Sequence, residues 1–136
     1  YKYNASTGIE LISDVLDLPN GIALSSDEKF LFVNSSNTAE KPIIIKIDLL
    51  TSESSVFFDG SKLASEYSGN FDGLKVHSSG NIFTTGPNGI LIISEGGKLL
   101  GNVKFKGDLT NCTFDENENY LYVTGFEFVA RIKLIT

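Results

Sequence analysis

"NGIALSSDEKFLFVN" from Asn20, "DGLKVHSSGNIFTTG" from Asp72 and "NCTFDENENYLYVTG" from Asn111 lie over one another. Each is a polar residue, an apolar run, a polar turn and a second apolar run, and each second run ends fourteen positions after the start, at Asn34, Gly86 and Gly125. A chain that repeats one hairpin at this scale is built of stacked units that bury their faces on one another. The runs are rich in Val, Ile, Leu, Phe and Tyr and are bounded by Gly, Asn, Asp and Ser, which marks them as strands. No window holds a helical period over three turns; "SKLASEY" (Ser61 to Tyr67) is long enough for about two.

After the first two hairpins come two further strands each, "IIIKIDL" and "SSVFFD", then "GILIIS" and "LLGNVKF"; the third hairpin is followed only by "FVARIKL". Four short-looped strands recurring at intervals of 52 and 39 positions are the pattern of β-propeller blades. The loops around "SSNTAEKP" and "GSKLASEYSGNF" account for the longer first interval. The expectation is an all-β fold: one partial propeller domain over 1–136, with four-stranded antiparallel blades at about 20–71, 72–110 and 111–136. The last blade is to be closed by an N-terminal strand at 9–16, within "IELISDVL". Three blades fall short of the four to eight of a closed ring. The chain also contains no Met, so it is expected to have been trimmed, processed or cut from something longer.

In a blade the first strand lines the central channel, so equivalent residues of successive first strands gather at one mouth. Overlaying the three stretches puts Asn20, Asp72 and Asn111 at that position. Two amides and a carboxylate suit a hard cation that takes oxygen ligands, such as Ca²⁺. The competing explanation is that Asn-Gly and Asp-Gly are favoured turn dipeptides whose side chains cap backbone N–H groups. Their shared register favours the common site.

Other chemistries fit less well. A charge of -6, with 11 Lys and Arg against 17 Asp and Glu, offers no basic stripe for nucleic acid or anionic lipid. No apolar run is long enough to span a membrane, and the single Cys112 forms no disulfide within the chain, so a cytoplasmic protein is the default. Cys112 and His77 do not make a thiol–imidazole pair: one starts a first strand, the other ends one, about 15 Å apart along the channel. A Ser-His-Asp triad fails for the same reason. "GPNG" (Gly86 to Gly89) is a turn rather than a phosphate loop, because no helix and no Lys follow it. Asn4, Asn34 and Asn111 begin N-x-S/T triplets that need a secretory setting to matter.

"PNGIALSSDEKFLFVNS", "FDGLKVHSSGNIFTTGPNGILII", "GKLLGNV" and "TNCTF...YLYVTG...RIKL", in this order, resemble the C-terminal half of the gluconolactonase/regucalcin family of six-bladed propellers, from about Asp17 onward. The resemblance implies a metal-dependent lactonase that hydrolyses sugar lactones. It implies a divalent cation, Ca²⁺ foremost and Zn²⁺ or Mg²⁺ otherwise, held by a Glu near the family's N-terminus and by the Asn and Asp that map onto Asn20 and Asp72. The Glu has no counterpart here, and His77 stands where many members carry Asp. Asp72 is then first a ligand and second a catalytic proton acceptor. From register, Asn111 and Asn34 are candidates for contacts to sugar hydroxyls or to the ligands themselves. Three origins for half a ring follow: a fragment of a longer lactonase, a homodimer whose two chains complete six blades, or a non-catalytic module that binds calcium or a partner.

Overall fold

The computed structural model describes residues 1–37 and 42–135. Part of the "SSNTAEKP" loop therefore lies outside the described residues. Apolar runs separated by polar turns produce, besides a two-stranded N-terminal pair, three antiparallel sheets in sequence order. The first is β3 (Pro19–Leu24), β4 (Phe30–Ser35), β5 (Ile43–Asp48) and β6 (Ser54–Asp59). The second is β7 (Leu74–Val76), β8 (Ile82–Gly86), β9 (Gly89–Ile93) and β10 (Leu99–Val103). The third is β11 (Leu109–Phe114), β12 (Tyr120–Gly125) and β13 (Val129–Lys133). Strands are laid down in chain order within each sheet, as propeller blades require. The short α1 (Ser61–Glu66) occupies the segment that carried the one helical signal.

Because side chains alternate across a strand, each blade has two faces. Phe32 and Ile44 of the first blade meet Leu74, Ile82, Leu91 and Ile93 of the second around a fully buried Phe71. Phe83 and Ile90 on the other face of the second blade meet Cys112, Leu121 and Val123 of the third. The innermost strand β7 lies against both β3 and β11, so the inner strands run side by side along what becomes the channel wall.

The N-terminus behaves differently from expectation. Gly8–Glu10 (β2) pairs with Lys2–Asn4 (β1) rather than with β13, and the third sheet has three strands among the described residues. Ile12 and Leu16, in the segment leading into β3, pack on Leu31, Val33, Ile45 and Ile47, the face of the first blade turned away from the second.

Each inner hairpin turns through one residue of positive φ: Glu28 (φ 57), Gly80 (φ 83) and Glu118 (φ 54). The turns differ in length. The closing bonds run from Ser25 N to Phe30 O and from Asp115 N to Tyr120 O, but from His77 N to Asn81 O, one residue shorter. That difference matters for the site.

Candidate metal-binding site at the channel mouth

Asn20 and Asp72 come together. Asn20 Nδ2 donates to Ser36 Oγ at 3.0 Å, and the Asn20 amide is near enough to the Asp72 carboxylate to act on its pKa. Ser36 Oγ in turn donates to the Phe71 carbonyl at 2.6 Å, tying the end of the first blade's second strand to the residue before Asp72. Burial raises the Asp72 pKa above the ordinary carboxylate value, and the Asn20 amide partly opposes the rise. A partly buried carboxylate without a cationic side chain bonded to it is stabilised by any positive charge brought alongside.

The glycines that follow are there for space rather than for a turn. Asn20 and Gly21 lie inside β3, and neither Gly21 nor Gly73 has positive φ. A Cβ on Gly21 would sit 2.1 Å from the Asp72 carbonyl oxygen, and one on Gly73 would sit 2.2 Å from Asn111 Oδ1. The dipeptides thus permit adjacent inner strands to touch at the mouth, and the turn explanation is set aside.

Asn34 is the joint between blades. It is fully buried. Its Oδ1 accepts the Gly21 N–H at 2.7 Å, while its Nδ2 donates to the Asp72 carbonyl at 2.8 Å and to Thr84 Oγ1 at 3.2 Å. Its amide is therefore engaged internally, and it bears on the site by fixing the backbone of Asp72. Thr85 adds a second restraint, its Oγ1 accepting the Asp72 N–H at 3.1 Å. Sequence reasoning passed over Ser36 and Thr85; the signal was the hydroxyl-rich ends of the second strands, "NSS" and "TTG".

Asn111 is not the register equivalent of Asn20 and Asp72. Counted back from the turn-closing bonds, Gly21, Gly73 and Asn111 each stand four residues before Ser25, His77 and Asp115. The residue matching Asn20 and Asp72 is Thr110, whose Oγ lies 2.8 Å from Thr124 Oγ1. The inner strands of the first and third blades are bulged at this level, between Pro19 and Ile22 and between Leu109 and Asn111. With the shorter turn of the second blade, the bulges allow a plain overlay of letters to slip by one. Asn111 is exposed, and its Oδ1 accepts the N–H of Cys112 at 2.8 Å.

An all-oxygen set of one carboxylate and one amide fits the chemistry of a hard cation and not that of a thiolate–imidazole zinc site. Among the described residues no group of three His, Cys, Asp or Glu side chains gathers to hold a metal. Cys112 is buried beside the Phe83 carbonyl, and burial drives its thiol up to about 12, with Lys75 pulling weakly the other way. It is an apolar packing residue, as expected. Among the described residues no helix is long and apolar enough to cross a membrane.

Comparison with known proteins agrees with this architecture. The family model for the SMP-30/gluconolactonase/LRE-like region matches residues 1–127, further toward the N-terminus than the motifs alone suggested. A gluconolactonase of Zymomonas mobilis is 31% identical over 148 residues, covering all of this chain and 40% of its own length. The structure of a gluconolactonase from Xanthomonas campestris superimposes with a TM-score of 0.77 at 27% identity, over 88% of this chain and 39% of that one. A calcium-binding regucalcin from Agrobacterium tumefaciens has the same fold, with a TM-score of 0.66 at 19% identity over 80% of this chain and 38% of that one. The chain thus spans about two fifths of the length of these relatives.

Proposed function

The chain belongs to the SMP-30/gluconolactonase/LRE-like family, and on that premise we propose that it carries the cation-binding part of a lactonase that opens sugar lactones. The observation that carries the proposal is the close approach of the strands bearing Asn20 and Asp72, 52 positions apart, where Ser36 links Asn20 to the Phe71 carbonyl and Gly21 meets the Asp72 carbonyl. Their oxygens would supply two of the six to eight ligands a Ca²⁺ ion takes, with water and substrate oxygens filling others. Zn²⁺ and Mg²⁺ are the lesser candidates.

When bound, such a cation polarises a lactone carbonyl as a Lewis acid and lowers the pKa of a coordinated water. The residues of the chain do the rest. Asn34 and Thr85 hold the Asp72 backbone from both sides, and Ser36 holds the amide of Asn20, so both donors are oriented before ligand arrives. Asp72 acts as ligand first; coordination lowers carboxylate basicity, which leaves it a secondary role as proton acceptor from the attacking water. Asn111, exposed beside Gly73, is placed to meet a substrate hydroxyl.

The test is hydrolysis of glucono-δ-lactone with and without chelator. Ca²⁺-dependent turnover that disappears in Asp72→Ala supports the proposal; turnover indifferent to both chelator and Asp72→Ala defeats it. A folded chain that binds Ca²⁺ through Asp72 without turnover favours the second reading, a calcium- or partner-binding propeller module. The domain is proposed as three successive blades from about residue 20, in a cytoplasmic protein whose free thiol is buried. Two chains are proposed to complete a six-bladed ring as a homodimer, with a pairing of first blade on first blade as its rival; light scattering at micromolar concentration that returns the 14.8 kDa monomer counts against both.

A further inference from the structure

The single histidine lies at the other end of the second blade, where sequence reasoning found no acid to serve it. The structure supplies one. His77 Nδ1 lies 2.8 Å from Ser79 Oγ, and His77 Nε2 lies 3.3 Å from Glu118 Oε2 of the next blade. The His77 and Glu118 side chains retain 20% and 24% of their exposure. Glu118 is itself held by Ser78, whose N–H donates to its Oε1 at 3.0 Å and to its Oε2 at 3.2 Å, and whose hydroxyl also donates to Oε2.

Part of this arrangement is ordinary turn chemistry. The Ser79 N–H also donates to His77 Nδ1, at 3.1 Å, and the equivalent turn of the first blade has Ser25 bonding Asp27 two residues on. The turn alone accounts for the Ser79 contact and leaves the far nitrogen unexplained. Because the Ser79 N–H donates to Nδ1, Nδ1 is the acceptor nitrogen and Nε2, facing the carboxylate, is the one that carries the proton. The order carboxylate, imidazole N–H, imidazole lone pair and serine O–H is that of an activated nucleophile, which is recognised by roles and geometry and not by which nitrogen plays which part.

Ser79 is exposed and opens into a cavity of about 250 Å³ between the first two blades. Phe30, Phe32 and Val76 form its apolar wall, and its charged lining residues are Lys46, Asp27 and Glu95. We infer that Ser79, His77 and Glu118 form a second, metal-independent site competent to accept an acyl group from small carboxylic esters. Ser79 Oγ adds to the ester carbonyl carbon as its proton passes to His77 Nδ1. The tetrahedral intermediate then expels the alcohol oxygen, which takes that proton. Water repeats the sequence in reverse, releasing the carboxylic acid and restoring the Ser79 hydroxyl. Glu118 is a positioning residue that fixes the tautomer and stabilises the transient imidazolium. None of this uses Asn20 or Asp72.

The experiment is p-nitrophenyl acetate with the intact chain in EDTA, read by phenolate release and by mass mapping of the acetylated residue. The expected result is a burst approaching one equivalent per chain, with the acetyl group on Ser79. It should be lost in Ser79→Ala and slowed about 100-fold or more in His77→Gln, the range for loss of a general base. Glu118→Gln should shift the pH profile of acylation, which a merely structural role would not do. Absence of an adduct overturns the inference, as does acetyl found on His77 only, labelling spread equally over the neighbouring serines, or a rate indifferent to His77→Gln. Should His77→Gln fail to fold, the mapped position and the exposed Ser79→Ala variant decide. Because chelator is present throughout, failure here and failure of the lactonase proposal are separate results.

Discussion

Replacing Gly21 by Ala tests whether the mouth is built by close approach of two inner strands. The new methyl carbon would meet the Asp72 carbonyl oxygen at 2.1 Å, Asn34 Nδ2 at 2.7 Å and Leu74 Cβ at 2.9 Å. Two of the three neighbours are backbone or Cβ atoms, so no flexible side chain can move aside. To reach an ordinary contact the first blade must retreat by about 1.3 Å, in a packing that tolerates little. Overpacking of this kind costs about 1–3 kcal/mol. The retreat also stretches the Asn34 bonds to Gly21 and Asp72, and each buried group left unpaired costs about 1–3 kcal/mol. A destabilisation of about 3 kcal/mol is expected, which lowers the urea midpoint by about 1–2 M. Gly101→Ala is the control. Its Cβ meets nothing within 4 Å, so the alanine should be neutral or stabilising by up to about 1 kcal/mol. If Gly21→Ala unfolds at the same urea concentration as the parent, or if both variants shift alike, the close-approach argument is wrong.

Asn34→Ala should cost about 3 kcal/mol in the same assay, because it strands the Gly21 N–H and the Asp72 carbonyl in a buried joint. Asp72→Asn should leave the metal-free protein at least as stable as the parent at neutral pH, since burial disfavours the charge, while abolishing Ca²⁺ binding by calorimetry. Cys112, raised to about 12, should stay silent to a thiol reagent at pH 8 until the chain unfolds. Its folded pKa lies above the unfolded value near 9, so its contribution to stability is intact below pH 9 and is lost as pH climbs from there toward 12, by about 1.4 kcal/mol per pH unit.

The strands and their grouping were legible because strands packed on both sides read as short continuous apolar runs bounded by polar turns, as in "KFLFVNS" and "GILIIS". The adjacency of the strands bearing Asn20 and Asp72 was legible because propeller topology sets the inner strands of successive blades side by side. The third member of the set was not. A single-residue difference in turn length, invisible in the letters, moved Asn111 out of register and put Thr110 in its place. The purpose of Gly21 and Gly73 was hidden for a related reason: local preference names a turn, whereas a neighbouring blade makes the demand. Glu118 serves His77 from 41 residues away, and no local pattern announces such a partner.

The outward faces of the first and third blades bear on how two copies would meet in the proposed homodimer. The first blade presents Ile22 and Leu24, 56% and 44% exposed, with Leu31, Val33, Ile45 and Ile47 beneath the N-terminal segment, around a cavity of about 600 Å³. The third blade presents Tyr122, across from Arg131, and Tyr120, across from Lys133, with the Arg131 guanidinium 4.7 Å over the Tyr120 ring. The faces already in contact inside the chain are apolar on both sides. Ring closure would instead set two cationic heads against a wall of Ile and Leu, and burying an unpaired charge is costly unless its stem lies flat and its head reaches water. A twofold dimer that joins first blade to first blade buries apolar on apolar and leaves Arg131 and Lys133 solvated. The two arrangements separate by mutation and light scattering. Ile22→Asp with Leu24→Asp should dissociate either dimer. Arg131→Glu with Lys133→Glu should weaken a closed ring about tenfold or more and leave the face-to-face dimer unchanged. A dimer that survives Ile22→Asp with Leu24→Asp refutes the assignment of this face as the interface.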